Sequence, residues 1–214
     1  AGIFQNTQEI DEWRAVGNGI LQSNVQPGDV RFVDRNHDGQ INDKDKVNLG
    51  NGTPDFTLGL NLGFVYKGFD FSIVANGAFG QQIVQSYRNH TRPTPNYTTA
   101  ILDRWHGEGT SNRIPRVTDS NINYQFSDLF IQNGDYLRLS TLTLGYDFAK
   151  LFNGKAASQA RLYFQVQNLF TITGYDGMDP EIGFGSSNNS WVSGLDYGYY
   201  PRPRTVLVGV NLKF

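Results

Sequence analysis

The amino-acid sequence predicts an all-β fold whose strands cross a lipid bilayer as part of a barrel. Three observations support this prediction. Five segments alternate apolar and polar residues, short and long connections alternate between those segments, and aromatic residues lie near both strand ends. A single alternating strand also fits a soluble protein, in which one face packs on a core and the other meets water. The three observations together favour a transmembrane barrel.

Each of the five predicted strands is about ten residues long or more, which is the length that a tilted strand needs to cross a bilayer. They are Thr57–Tyr66, Phe69–Phe79, Asp135–Phe148, Gln159–Phe170 and the segment from Arg204 to Phe214. In the last of them Val206, Val208 and Val210 fall on one face. In the third, the apolar positions change from odd to even numbers, so a bulge near Ser140–Thr141 is predicted to keep them on one side.

The connections between the strands alternate in length. Lys67-Gly68 is a tight turn and Lys150–Ser158 a modest loop, whereas Gly80–Gly134 and Thr171–Pro203 are long. Compact soluble domains rarely contain such long connections, but outer-membrane barrels combine short periplasmic turns with long extracellular loops. The pattern therefore predicts a periplasmic C-terminus and extracellular long loops.

The sequence is divided on this basis between residues 55 and 56. Residues 1–55 are predicted to form an extracellular loop region with a short helix at Thr7–Val16, and residues 56–214 to form the strands with loops 80–134 and 171–203. A second short helix is predicted at Tyr97–His106. Five strands cannot close on themselves, because the smallest membrane barrels have about eight. We therefore expect the chain to be the C-terminal piece of a larger barrel.

Composition excludes several classes of protein. The 214 residues have a formal net charge of −2 and a pI near 5.9, so no basic surface predicts a nucleic-acid partner. The sequence has no Cys, hence neither a disulfide scaffold nor a thiolate metal site. It contains no nucleophile elbow, P-loop or dinucleotide fingerprint. The acids of Asp179-Pro180-Glu181 are interpreted as loop geometry and not as a glycosidase pair, so the chain is predicted not to be an enzyme.

The segment Asp34–Asp45 has the spacing of a calcium-binding loop. Its predicted ligands are the side chains of Asp34, Asn36, Asp38 and Asp45 and the backbone carbonyl of Gln40. Gly39 supplies the sharp turn at the sixth position, and the acid at the twelfth is an Asp instead of the usual Glu. We expect one structural Ca²⁺ that holds an exterior loop. The alternative is an Asx-rich turn that needs no metal.

The other candidate sites are weaker. Three aromatic residues in the predicted exterior loops could stack on sugar rings, although loop packing is the default interpretation of each: Trp105, Trp191 and Tyr197. The three histidines lack zinc spacing and are interpreted as solvated loop residues: His37, His90 and His106.

A series of motifs occurs in a defined order along nearly the whole chain. They are Gly28–Gly39, Leu49–Phe56, Asp135–Tyr146, Asn168–Thr171, Tyr175–Glu181 and Tyr200–Phe214. Each motif is modest, but their ordered combination resembles the C-terminal region of SusC/RagA-type TonB-dependent transporters.

This resemblance implies a barrel of about 22 strands that encloses an N-terminal plug. It also implies a SusD-type lipoprotein that lids the barrel, energy supplied through TonB, and a ligand that is mainly an oligosaccharide, with peptides as the other class. The expected function is import of oligomeric nutrients across the outer membrane. Two alternatives remain open: a secreted calcium-dependent β-sandwich that binds carbohydrate, and a surface glycosidase module.

Overall fold

A computed structural model describes residues 2–16, 24–86, 98–149, 158–182 and 193–213. Within these ranges lie one α-helix and eight β-strands: α1 (Thr7–Val16), β1 (Phe56–Tyr66), β2 (Phe69–Phe79), β3 (Gln82–Gln85), β4 (Ile131–Asn133), β5 (Tyr136–Asp147), β6 (Gln159–Thr173), β7 (Leu195–Asp196) and β8 (Thr205–Lys213). The chain forms two compact units: Ala1–Leu49 with Arg88–Phe130, and Gly50–Tyr87 with Ile131–Phe214. The predicted division between residues 55 and 56 stays a prediction.

The second unit contains a five-stranded sheet in the order β1-β2-β5-β6-β8, with every neighbouring pair antiparallel. β1 and β2 are joined by Lys67 and Gly68, whose φ angles are 49° and 91°. Two residues with positive φ make the turn that matches the natural twist of a hairpin. All five predicted strands are therefore confirmed, with ends that differ from the sequence pattern by at most three residues.

The predicted bulge is also confirmed. Val74 of β2 lies opposite Thr141 and Ala75 lies opposite Leu139, so Ser140 is the extra residue of β5. The register between β5 and β6 shifts at the same place. The bulge moves the apolar positions from odd to even numbers and keeps them on one face of the sheet.

The long connections contain short strands that the sequence pattern did not predict. β3 pairs with β4 in antiparallel and with β7 in parallel orientation, which gives a second sheet in the order β4-β3-β7. Ile83 of β3 is fully buried. The loops 80–134 and 171–203 are therefore not free of strands. Strands of two to four residues are too short to show an alternating pattern, which explains the omission.

The first unit is built around a small apolar core. Phe4, Ile10 and Val25 are buried there, with Trp13 and Ile122 packed against them. Ile10 and Trp13 come from α1, so the predicted helix at Thr7–Val16 is confirmed by its element bounds and by the face that it buries. The helix is amphipathic, and burial of its apolar face stabilises it more than intrinsic propensity does.

The second predicted short helix, Tyr97–His106, is confirmed in part and is shorter than predicted. The described part is a 3-10 helix at Thr99–Asp103, while residue 97 lies outside the described ranges. Trp105 does not continue the helix, because its backbone N–H donates to the carbonyl of Ile114 at 2.8 Å. Only Ile101, Leu102 and Trp105 suggested an apolar face, and the tertiary pairing of Trp105 overrides that weak preference. No described helix is long and apolar enough to cross a membrane.

Candidate functional site

The five-stranded sheet has one continuous apolar face. The registers of its four strand pairs place Phe64, Phe71, Leu144, Phe164 and Val208 in one row across all five strands. These side chains remain between 36% and 70% exposed. An apolar face of this width on a soluble protein would be buried against a second layer. An exposed apolar face on long alternating strands is the arrangement that a barrel presents to lipid.

Aromatic rings lie at both ends of this apolar face. At the end with the tight turn, the rings of Phe69 and Tyr146 lie 4.4 Å apart, and Tyr66 is directly opposite Phe69. At the other end, Phe56 and Phe79 stack with ring centroids 4.9 Å apart. Membrane–water interfaces favour aromatic rings at both edges of an apolar belt. The predicted two-ended arrangement is therefore present in the folded sheet.

The opposite face of the sheet is polar and includes an ion pair across three strands. Arg161 of β6 reaches over Gly145 of β5 to Asp70 of β2, with Nε–Oδ1 and Nη2–Oδ2 distances of 2.8 and 2.5 Å. A Cβ atom at Gly145 would lie 2.3 Å from Asp70 Oδ1. The glycine therefore leaves the space through which the bidentate pair forms.

A second charged cluster lies on the same polar face, near the end with the long loops. Arg138 of β5 is 4% exposed, and its Nη2 and Nη1 atoms lie 2.5 Å from Asp179 and 2.8 Å from Glu181. Its Nε donates to Thr171 Oγ1 at 3.0 Å, and Arg202 lies 3.2 Å from the other Glu181 oxygen. Both acids are bound by arginine, so this arrangement supports their interpretation as loop geometry and not as a glycosidase pair.

The Asp34–Asp45 loop is a turn held by its own side-chain-to-backbone hydrogen bonds. Gly39 has a φ of 80° and donates its N–H to Asp34 Oδ2 at 2.9 Å. Asn36 Oδ1 accepts the N–H of Asp38 at 3.1 Å. Asp45 Oδ1 and Oδ2 accept the N–H groups of Arg35 and Asn42 at 2.8 and 2.7 Å. The loop is thus closed by its first and twelfth residues, as both a metal loop and an Asx-rich turn require.

Two features of the loop bear on whether it fits a cation. Asp34 Oδ1 is buried and accepts no hydrogen bond from the described residues, although a buried carboxylate oxygen normally has a partner. The backbone N–H of Asn42 is the main cause that holds the pKa of Asp45 below its usual range, so this carboxylate stays ionised. Among the described residues, including this loop, no three His, Cys, Asp or Glu side chains lie close enough together to hold a metal ion. The donor set fits calcium chemistry, and the metal stays a prediction.

Comparison with known proteins identifies the family, although no family model matches the chain. TonB-dependent receptor P3 of Formosa agariphila is 34% identical over 209 residues, which cover 92% of this chain and 20% of that receptor. TonB-dependent receptor SusC of Bacteroides thetaiotaomicron is 30% identical over 197 residues, which cover 91% of this chain and 18% of SusC. The chain spans about a fifth of the length of these relatives.

Solved structures agree with this match. The RagAB peptide importer in its open-open state has a TM-score of 0.59 at 25% identity, over 76% of this chain and 17% of that one. Its closed-closed state has a TM-score of 0.62 at 22% identity, over 93% of this chain and 21% of that one. The chain belongs to the SusC/RagA-type TonB-dependent receptors. Its five-stranded sheet is a section of their β-barrel, and the match is consistent with the C-terminal part of that barrel.

In this SusC/RagA-type chain, the aromatic candidates for ligand contact have different surroundings. Trp105 is half-buried, its Nε1 donates to Gln5 Oε1 at 3.3 Å, and a Cβ at Gly28 would lie 2.4 Å from its ring. This packing favours a structural role. Tyr197 is 53% exposed and available for contact. Trp191 lies outside the described residues.

The histidines of this receptor section have no metal partners among the described residues. His37 lies in the calcium-type loop with a φ of 58°, and His106 Nδ1 lies 3.0 Å from the carbonyl of Arg104. Both are exposed. His90 lies outside the described residues. The sequence did not predict the contact of Arg138 with Asp179 and Glu181, because these positions are more than forty residues apart in the chain.

Proposed function

We propose that this chain is the C-terminal barrel section of a TonB-dependent importer in the outer membrane, which takes up oligomeric nutrients. The observation that carries the proposal is the exposed apolar face that continues across all five strands, from Phe64 to Val208. Lipid is the environment that stabilises such a face. The relatives named TonB-dependent receptors support the same function.

The connections between the strands are proposed to alternate between the two sides of the membrane. The tight turn at Lys67-Gly68 and the C-terminus face the periplasm, and the long loops face the outside. Within the described residues, β1 and β8 form the edges of the five-stranded sheet. Unpaired edges favour association with further strands. We assign these two edges to the remaining strands of the same barrel, which would enclose the plug.

The geometry disfavours the two alternative functions. A carbohydrate-binding β-sandwich would bury the apolar face of this sheet under a second sheet, whereas Val208 is 70% exposed. A glycosidase needs two carboxyls opposed across a cleft, whereas Asp179 and Glu181 both bind Arg138. The relatives are named as receptors and importers. We therefore propose that the chain has no enzymatic activity.

The proposed partner is a SusD-like lipoprotein that docks on the long exterior loops and closes over the ligand. The loops are long, polar and rich in aromatic residues, which a bare pore does not need. The ligand is proposed to be an oligosaccharide or a peptide. The resemblance to SusC-type transporters favours a glycan, and the likeness to a structure described as a peptide importer keeps the peptide class open. TonB is proposed to energise import through another part of the receptor.

Purification of the full receptor from its native membrane tests this partnership. In mild detergent, a tagged receptor should retain one abundant surface lipoprotein at near-equal amount, because stable protein interfaces bury on the order of 1,600 Å² or more. A tagged barrel of another class from the same membrane serves as the control. A receptor that purifies without any lipoprotein would contradict the proposal that a SusD-like lipoprotein docks on the loops.

We further propose that the Asp34–Asp45 loop binds one Ca²⁺ with a structural role. The orphaned Asp34 Oδ1 supports this proposal, and the ion would neutralise carboxylates that otherwise repel one another. Asp38→Ala, or excess chelator, should make the loop more sensitive to protease. Asp43→Ala is the matched control, because Asp43 pairs with Lys46 at 2.7 Å and is not a predicted ligand. Equal protease sensitivity with and without chelator would mean that the loop is only a turn.

A further inference from the structure

The segment Tyr175–Glu181 of the loop after β6 is tied to the polar face of the sheet. Arg138, which provides the main anchor, lies opposite Asn76 of β2 and Thr171 of β6 in the strand registers. The leucines on either side of Arg138 share the apolar face with Phe71 and Leu144, so the arginine points to the other side. The loop therefore folds back over the polar face, which is the inner face in a barrel.

The ion pair between Arg138 and Asp179 is buried. Arg138 and Asp179 are each 4% exposed. The guanidinium of Arg138 binds one carboxylate with each terminal nitrogen, and the second carboxylate, from Glu181, also binds Arg202. Two positive and two negative groups are thus brought together. Buried charges are stable only when they are paired in this way.

Two further contacts fix the other end of the segment. The Tyr175 hydroxyl donates to the buried Asp196 carboxylate at 2.5 Å. Asp176 Oδ1 accepts hydrogen bonds from Gln85 of β3 and Gln132 of β4. The segment is therefore held at both ends by side chains of the second unit. Such a segment has little freedom to move as a mobile lid.

We infer that the Tyr175–Glu181 segment is a fixed wall of the passage through the barrel, and that Arg138 is the residue that positions it. This inference rests on the proposed import function and adds a residue that controls it. Arg138 does not need to touch the ligand. It sets the position of the loop segment, and through it the shape of the outer end of the passage.

Hydrogen–deuterium exchange of the full receptor in detergent tests the attachment. In Arg138→Gln, amides of Tyr175–Glu181 should exchange at least about tenfold faster than in the wild type, because loss of Arg138 leaves the buried Asp179 carboxylate without its ion-pair partner. The exchange rates of peptides from β1 and β2 should be the same as in the wild type. Arg161→Gln is the matched control, because Arg161 forms the other ion pair of the same face, with Asp70, and not with the Tyr175–Glu181 segment. Exchange in the segment should stay at the wild-type rate in this variant.

Uptake of the oligomeric nutrient is the second readout, measured at equal amounts of folded receptor. Arg138→Gln should lower uptake at least about tenfold, and Arg138→Lys should restore part of it, since lysine keeps the charge but not the two-pronged geometry. If Arg138→Gln does not fold, Glu181→Gln removes only the partly exposed carboxylate and should give a smaller acceleration of exchange in the same direction.

The two readouts separate the possible failures. Unchanged exchange in the anchored segment would overturn the inference. Faster exchange with normal uptake would also overturn it, because the segment would then not shape the passage, while the import function would stand. A wild-type receptor that takes up no oligomer would contradict the proposed function itself.

Discussion

Arginine substitutions on the apolar face should block assembly of the barrel. Leu62 is the seventh of eleven residues in β1. Eleven residues at about 3.3 Å each span roughly 36 Å, and a tilt of about 40° reduces this to roughly 28 Å, close to the apolar band of a bacterial barrel. Leu62 therefore lies near the middle of the bilayer. Val208 of β8 is 70% exposed on the same face.

A cation at this depth costs about 2–4 kcal/mol on the outside of a barrel. That is roughly a 30- to 700-fold shift in the folding equilibrium. Leu62→Arg and Val208→Arg should therefore reduce the folded receptor in the outer membrane to a small fraction of the wild-type amount. The assay is the heat-modifiable band of the full receptor on a gel.

The controls are Asn61→Arg and Asn211→Arg, which lie on the polar face of the same two strands. Asn61 is adjacent to Leu62 in sequence, and Asn211 lies opposite Arg161 in the register. Both should reduce the amount of folded receptor far less, because water or plug residues can solvate a cation there, and the repulsion between Arg161 and an arginine at position 211 adds only about 1 kcal/mol at most. Equal tolerance at all four positions would refute the assignment of a lipid-facing side.

Three further predictions follow from local geometry. Gly145→Val should separate the ion pair of the polar face and lower receptor stability by about 1–3 kcal/mol, measured as a lower unfolding temperature. Gly52→Ala should destabilise by a similar amount, because its Cβ would lie 2.4 Å from a backbone oxygen, whereas Gly59→Ala has open space. The pKa of Asp45 is lowered chiefly by the backbone N–H of Asn42. The ionised carboxylate therefore stabilises the loop fully at pH values above 3.8, the usual pKa of an Asp side chain. This contribution should be lost as the pH falls through the lowered pKa, and the loop should then be cleaved faster by protease.

The strands could be predicted from the sequence because each one carries its own signal. The alternation of apolar residues fixes which side chains share a face, and the phase change in Asp135–Phe148 required the bulge that the structure has at Ser140. These are local patterns, and a barrel strand must satisfy them along its whole length.

The loops were predicted less well because their structure depends on contacts between distant segments. Arg138 and Asp179 are separated by 41 positions, and no sequence pattern joins them. β3 and β7 pair across more than a hundred positions with only two register pairs. Trp105 ends a predicted helix because it pairs with Ile114. Such contacts are visible only in the folded chain.

Nutrient uptake by a strain that lacks the gene tests the importer function most directly. The deletion strain and the strain complemented with the wild-type gene should be compared on one oligomeric nutrient and on its monomer. Loss of oligomer uptake with normal monomer uptake, restored by the wild-type gene, is the predicted result. If the deletion lowers the uptake of small solutes indiscriminately, or leaves uptake of every oligomer unchanged, the receptor is not an importer of oligomeric nutrients.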